Sequence, residues 1–270
     1  MTINLGPLTL AMPHVVLMIS LALSILVGWW LGRRGKLNPE KQIFRLLLLA
    51  LVIARLAFVI LYIEYFTQEP WRVIDIRDGG FIAWPGVVAA LLLGTWMCWR
   101  DAKLRKPLGW AIAAGMLSWT AALFLLHTLE QSNRLPDVSF YNEQGEPVTL
   151  RDFAGKPMVV NLWATWCPPC RREMPVMAQA QREQSGVTFL FVNQGESAAV
   201  VASFLATEQL GLKNVLLDVN GQLGRQVGSG ALPTTLFFDA QGHQVGSHLG
   251  ELSHASLVHA LKQLQESTPP

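Results

Sequence analysis

Cys167 and Cys170 stand three positions apart in Trp166-Cys-Pro-Pro-Cys170, at the point where an apolar run gives way to a helix-forming stretch. Two thiols so placed at a helix start close a small disulfide loop. The first lies over the positive end of the helix dipole, which lowers its pKa from about 8.5 toward neutrality or below. The thiolate is the nucleophile of disulfide exchange, so Cys167 is expected to attack and Cys170 to resolve the mixed disulfide. Pro168 and Pro169 fall in the first turn, where a missing N–H is harmless, and they stiffen the loop. A zinc site would need about four ligands, and a chain with three cysteines and no second pair does not supply them. Nor does the pair read as a structural staple, because closing so short a loop removes little entropy from the unfolded chain. The expected chemistry is thiol–disulfide exchange with no metal and no cofactor.

The elements that must hold this pair can be read on either side of it. Lys156-Pro-Met-Val-Val-Asn-Leu-Trp163 is a continuous apolar run of the kind found in a central strand buried on both faces. The following helix is expected to run to about Gln184, kinked by the interior Pro175. Val138 to Leu150 reads as a strand, a Gly-containing turn and a second short strand. Further strands are expected over 187–192, 215–217 and 234–238, with helices over about 197–209 and 253–264 and a terminal hairpin through Gly242. Strands alternating with helices imply a mixed sheet covered on both faces.

This stretch, from roughly Leu135 to Leu264, resembles the thioredoxin superfamily, in particular the TlpA-like membrane-anchored thiol:disulfide oxidoreductases. The resemblance rests on Trp-Cys-Pro-Pro-Cys, on Pro175 at the superfamily's kink position and on Leu232-Pro233-Thr234, which is similar to its cis-proline loop. It implies that the backbone of Leu232, with Pro233 and Trp166, contacts the substrate. Asn161 occupies the position of the buried aspartate that moves protons in thioredoxins, a task asparagine cannot perform. Glu173 matches the acidic residue of the TlpA-like proteins and could serve Cys170 as a proton acceptor; composition alone would make it a solvated helix carboxylate. His243, His248, His254 and His259 show no metal spacing and are expected at the surface.

The first half of the chain is of another kind. The 270 residues are 51% hydrophobic and only 15% charged, too apolar for one soluble domain. Up to Gln131 there are twelve Lys and Arg against seven Asp and Glu; from Ser132 on there are nine against twelve, so the formal net charge of +2 averages a basic and an acidic half. Nothing in this balance points to nucleic acid. Apolar runs at about 14–31, 43–63, 81–99 and 108–129 each approach the ~20 residues that cross a hydrocarbon core, giving four expected spans. No Lys or Arg precedes the first run, which therefore does not read as a cleavable signal. Arg33, Arg34, Lys36 and Lys41 follow the first span, and Arg100, Lys103, Arg105 and Lys106 follow the third, so both connections should be cytoplasmic. The connection with Glu64, Glu69, Asp75 and Asp78 should face outward, and so should both termini.

Asn4 to Leu10, Ala54-Arg-Leu-Ala-Phe-Val59 and Asp78-Gly-Gly-Phe-Ile-Ala-Trp-Pro-Gly86 resemble the first half of prolipoprotein diacylglyceryl transferase. The chain departs from that pattern where Trp84-Pro85-Gly86 replaces a functional histidine before paired glycines, which argues against lipid transfer. Arg55, inside the second span, either contacts a lipid headgroup, or pairs with an interhelical carboxylate or carbonyl or snorkels to an interface. Cys98 has no second membrane cysteine to pair with and reads as a structural thiol.

Together these readings imply a four-helix transmembrane region (1–131) followed by an α/β thioredoxin-like domain (132–270) with an N-terminal hairpin extension. The expected protein sits in the bacterial inner membrane as a multi-pass protein with its redox domain in the periplasm, and reduces disulfides of client proteins. Its partners would be those clients, the lipid bilayer and a separate transmembrane thiol carrier resembling DsbD or CcdA as electron donor. The alternatives are a disulfide oxidase or isomerase of the same fold, or a lipid-binding membrane protein carrying a thioredoxin module.

Overall fold

The structure, a computed structural model, describes residues 2–5, 8–33, 37–67, 70–131 and 134–267. Arg34, Lys36 and Glu69 of the charged connections, and Ser132 at the expected domain boundary, lie outside the described residues. The chain divides into two compact units, Pro13–Leu126 and His127–Pro270 with Met1–Met12.

A short antiparallel hairpin, β1 (Thr2–Leu5) and β2 (Leu8–Ala11), precedes α1 (Met12–Gly32). The apolar helices continue with α2 (Glu40–Leu61), the single turn α3 (Ile63–Phe66), α4 (Ala83–Arg100) and α5 (Arg105–Gln131). Among the described residues three helices are long and apolar enough to cross a membrane: Met12–Gly32, Glu40–Leu61 and Arg105–Leu129. The expected third span, α4, has 18 residues, and its tryptophans, Pro85, Thr95 and Arg100 dilute its apolar character. Gly86 permits close packing of α4 on α2, since a Cβ there would lie 2.2 Å from the Ala50 carbonyl oxygen. Such small-residue contacts are what let helices approach in lipid.

Arg55 is 7% exposed and its guanidinium is saturated by protein. It donates to Asp78 Oδ1 (2.9 Å) and to the carbonyls of Arg72 (2.8 Å), Val73 (3.0 Å), Asp75 (2.7 Å) and Gly80 (2.8 Å). The rings of Phe58, Phe66 and Phe81 surround it. Of the two readings of Arg55, the structure supports the paired arginine. Cys98 is half-buried, and Arg105 donates to its carbonyl at 2.8 Å.

The second unit is built on a seven-stranded mixed sheet. Its strands are β3 (Ser139–Tyr141), β4 (Pro147–Thr149), β5 (Met158–Trp163), β6 (Thr188–Gln194), β7 (Val215–Asp218), β8 (Thr234–Phe238) and β9 (Gln244–Leu249), in the order β4-β3-β7-β6-β5-β8-β9. β5 is parallel to β6 and antiparallel to β8, and every one of its residues is buried. Side chains alternate along a strand. Val159 and Trp163 accordingly enter a core with Met174 and Met177 of α6 (Pro168–Glu183), Val201 of α7 (Ala198–Thr207) and Leu257 and Leu261 of α9 (His254–Ser267). Met158, Val160 and Leu162 enter the opposite core with Phe140, Leu150 and Leu223. That second face is covered by a short helix not expected from the sequence, α8 (Gln222–Gln226), and by the turn of 3-10 helix at Leu150–Phe153. The expected hairpin at 138–150 is present as β3 and β4.

Candidate active site

The site forms where β5 leaves the sheet and α6 begins. Cys167 is the N-cap of α6 with extended backbone, Pro168 follows at the first helical position, and the Cys170 N–H donates to Cys167 Sγ at 3.3 Å. The two sulfurs form a disulfide, with Cα atoms 5.3 Å apart. No acidic residue lies in the first turn of α6, so no carboxylate of the helix start itself offsets the positive end of its dipole at Cys167. Cys170 is fully buried and Cys167 is 3% exposed, whereas the adjacent Trp166 is 67% exposed.

Two carboxylates organise the surroundings. Glu173, one turn along α6 from Cys170, is 1% exposed. Its Oε1 accepts from Asn161 Nδ2 of β5 (2.7 Å) and its Oε2 from the Leu252 N–H (2.9 Å). Asn161 Nδ2 also donates to Thr235 Oγ1 at 3.0 Å, while Asn161 Oδ1 is buried with no partner among the described residues. Burial pushes the Glu173 carboxyl up to about 7, against the opposing pull of these two hydrogen bonds. The acid is therefore poised to exchange a proton near neutral pH. Neither of its oxygens bonds the Cys170 sulfur in this disulfide form, among the described residues.

Glu196, in the loop between β6 and α7, is the second carboxylate. It accepts from the Thr165 N–H (2.7 Å), the Thr165 hydroxyl (2.5 Å) and Asn193 Nδ2 (2.7 Å), and so ties the chain two residues before Cys167 to the neighbouring strand. The sequence reading did not find Glu196, Asn193 or Thr165. Glu196 lies 29 residues beyond Cys167, and nothing in its own stretch marks it as a brace.

The Leu232–Pro233 peptide bond is cis. Thr234, the next residue, pairs with Leu162 in the β5–β8 ladder, so the Leu232–Pro233 turn emerges at the same end of the sheet as the chain leading into Cys167. The turn is fixed by Gly250 N–H to Pro233 O (2.9 Å) and Thr234 Oγ1 to Ala231 O (2.8 Å). Leu232 is half-buried and Pro233 buried. The fold thus brings Trp166, Cys167, Cys170, Glu173 and the Leu232–Pro233 turn to one end of β5. The four histidines at 243, 248, 254 and 259 are each partly exposed; His243 Nδ1 lies 3.2 Å from Asp239 Oδ2. Among the described residues no group of three His, Cys, Asp or Glu could hold a metal ion. The arrangement can exchange two thiols for a disulfide, with a nearby acid to manage a proton.

The sequence model of the redoxin family matches residues 130–262, and that of prolipoprotein diacylglyceryl transferase matches residues 1–125. Thioredoxin-like protein YneN of Bacillus subtilis is 31% identical over 137 residues, covering 49% of this chain and 79% of the relative. Thiol-disulfide oxidoreductase ResA of Geobacillus thermodenitrificans is 34% identical over 142 residues, covering 52% of this chain and 77% of the relative. Among solved structures, a thioredoxin-family thiol:disulfide interchange protein from Chlorobium tepidum is 29% identical, with a TM-score of 0.44 over 49% of this chain and 95% of that one.

Proposed function

Because this chain belongs, through its C-terminal half, to the redoxin family of thioredoxin-like thiol-disulfide oxidoreductases, we propose that it reduces disulfides of client proteins outside the cytoplasm. The observation that carries the proposal is the Cys167–Cys170 pair at the start of α6, backed by the buried Glu173.

In the reduced enzyme the Cys167 thiolate attacks one sulfur of the client disulfide. A Cys167–client disulfide forms, the client S–S bond breaks, and one client thiolate leaves. Cys170 then loses its proton to Glu173 and attacks Cys167 Sγ. The Cys167–Cys170 disulfide forms and the second client thiolate leaves. The client gains two electrons and, with solvent protons, two thiols; the enzyme pair is oxidised by the same two electrons. Trp166 and the Leu232–Pro233 turn form the surface on which the client segment lies, with the Leu232 backbone offered to an extended strand.

The remaining readings belong to the same proposal. Residues 1–131 act as a membrane region of four spans, with α4 crossing as the third, and residues 132–270 act as the redox domain. The protein is multi-pass in the bacterial inner membrane, its basic connections are cytoplasmic and its redox domain is periplasmic. Regenerating the reduced pair needs a donor. Disulfide relay across a bilayer takes two membrane thiols that can pair, and the membrane half has Cys98 alone. The donor is therefore a separate thiol carrier of the DsbD or CcdA kind. A second reading, lipid binding by the membrane half, is favoured by the transferase-family match and by an apolar cavity of about 250 Å³ lined by Leu17, Leu46, Ala50, Val87 and Met116 among others.

Trapping tests the division of labour. Cys170→Ala should accumulate client proteins as mixed disulfides on Cys167, and Cys167→Ala should accumulate few or none. Equal trapping by the two variants would remove the proposed roles. In wild-type cells the pair should be found mainly reduced; a mainly oxidised pair would make the protein an oxidase.

A further inference from the structure

Ile82, the residue before α4, donates its backbone N–H to the Ala54 carbonyl at 3.1 Å, in the interior of α2. Four residues further along α4, Gly86 lies against the carbonyl of Ala50, four residues back along α2. The two contacts fix an antiparallel register. Continued down the pair, it brings Trp96 level with Glu40 at the start of α2. At the other end Ala54 lies seven residues before Leu61, the last residue of α2, which is about 10 Å at a rise of 1.5 Å per residue. α4 is about 27 Å long by the same rise, short of the ~30 Å hydrocarbon core. It begins well inside the outer end of α2, and the connecting chain must come back down to meet it.

The chemistry of that connecting chain suits such a position. Non-helical backbone is tolerated at membrane depth only where protein satisfies its polar groups. Arg55 bonds four carbonyls of this segment, those of Arg72, Val73, Asp75 and Gly80, together with the Asp78 carboxylate. Gly80 is seated so closely that a Cβ would meet the Phe58 ring at 2.4 Å and Arg55 Nη1 at 2.7 Å. The side chains turned outward are mainly apolar: Trp71, Ile74 and Ile76 are 67%, 84% and 63% exposed. Of the charged side chains on this segment, Asp75 and Arg77 hold each other through two hydrogen bonds of 2.8 Å and so present a neutral pair, and Arg72 is half-buried.

Resting on the four-span reading above, we propose that residues 70–82 form a re-entrant segment seated in the outer leaflet of the bilayer. Trp71, Ile74 and Ile76 contact lipid, and Arg55 is the internal donor that lets the segment's backbone remain there. The indole of Trp71 suits the interfacial level. Charged residues within a span pair inside the protein rather than face lipid, and Arg55 does so here.

The test leaves the network intact. The full chain carrying Cys98→Ser, its Cys167–Cys170 pair kept oxidised, is reconstituted into phosphatidylethanolamine–phosphatidylglycerol vesicles. Single nitroxide labels are placed at Ile74→Cys, Thr67→Cys, Leu48→Cys and Leu92→Cys, all exposed positions. Collision with dissolved oxygen marks lipid, and collision with a water-soluble nickel chelate marks solvent. The label at 74 should match the lipid-facing label at 48, and the label at 67 should favour the chelate. If 74 behaves as 67 while 92 stays in lipid, the re-entrant segment is refuted and the four spans stand. If 92 itself favours the chelate, α4 does not cross, and the four-span reading falls together with the inference built on it.

Discussion

Glu173 is a carboxylic acid held between an amide and a backbone N–H with 1% of its surface exposed. Its folded pKa of about 7 lies above the ordinary 4.5, so the folded domain binds this proton more tightly than the unfolded chain does. The sign of the linkage follows: the contribution of Glu173 to stability is fully present below about pH 4.5 and is lost as pH rises through about 7. Glu173→Gln removes that dependence while keeping size and helix propensity. Equilibrium unfolding of the oxidised domain should therefore show the variant gaining on the wild type between pH 4.5 and 8, by up to roughly 3 kcal/mol. The same substitution should slow reduction and reoxidation of the pair and flatten their pH profile near 7, because in the proposed mechanism Glu173 takes the Cys170 proton. Wild-type rates across pH 6 to 8 would return Glu173 to a purely structural role. Asn161 is the companion residue. It cannot take a proton, but it turns one N–H toward Glu173 and so decides where that carboxylate points.

At the scale of elements, the site depends on how β5 passes into α6. β5 is held by parallel pairing to β6 and antiparallel pairing to β8, which fixes Leu162 opposite Thr234 and brings the cis-proline turn to the strand end that leads to Cys167. Pro168 starts the helix at once and Cys167 caps it. The short chain between strand and helix has its own brace in Glu196, which joins Thr165 to Asn193. Glu196→Ala leaves the Thr165 N–H and the Asn193 amide without their acceptor, a loss of about 2 kcal/mol for hydrogen bonds to a charged group. Thermal or denaturant unfolding should register that loss. Exchange at Cys167 should slow while the fold persists, and unchanged kinetics would mean that the strand alone positions the cysteine.

For the whole molecule, the loop charges and the solitary membrane cysteine make two predictions. Reporter fusions after Gln131 should be active only as extracytoplasmic reporters, and fusions within 100–106 only as cytoplasmic ones; the reverse pattern would overturn the orientation. Cys98→Ser should leave the redox state of the Cys167–Cys170 pair in cells unchanged, whereas deleting the proposed carrier should shift the pair to the oxidised form. Oxidation of the pair by Cys98→Ser alone would make the membrane half an electron conduit.

Local pattern carried much of this protein. The Cys-Pro-Pro-Cys spacing, the apolar run of β5, the interior Pro175 and the hairpin at 138–150 are each set by neighbours within a few residues, where helix dipole, periodicity and turn chemistry act. The long apolar runs were legible for the same reason, although the shorter, tryptophan-rich α4 met the demands of a span less fully than its run implied. What tertiary structure decided involves partners far apart in the chain. Arg55 could have faced a headgroup until the fold brought the carbonyls of 72–80 onto its guanidinium. Glu173 could have been a solvated carboxylate until α6 packed it against Asn161 and Leu252. Glu196 carried no signal in its own stretch, because a brace is defined by what it reaches, and Thr165 is 31 positions away. Sequence proximity fixes conformation and reactivity type, whereas burial, which sets the Glu173 pKa and makes the pairing of Arg55 necessary, exists only once distant segments exclude water together.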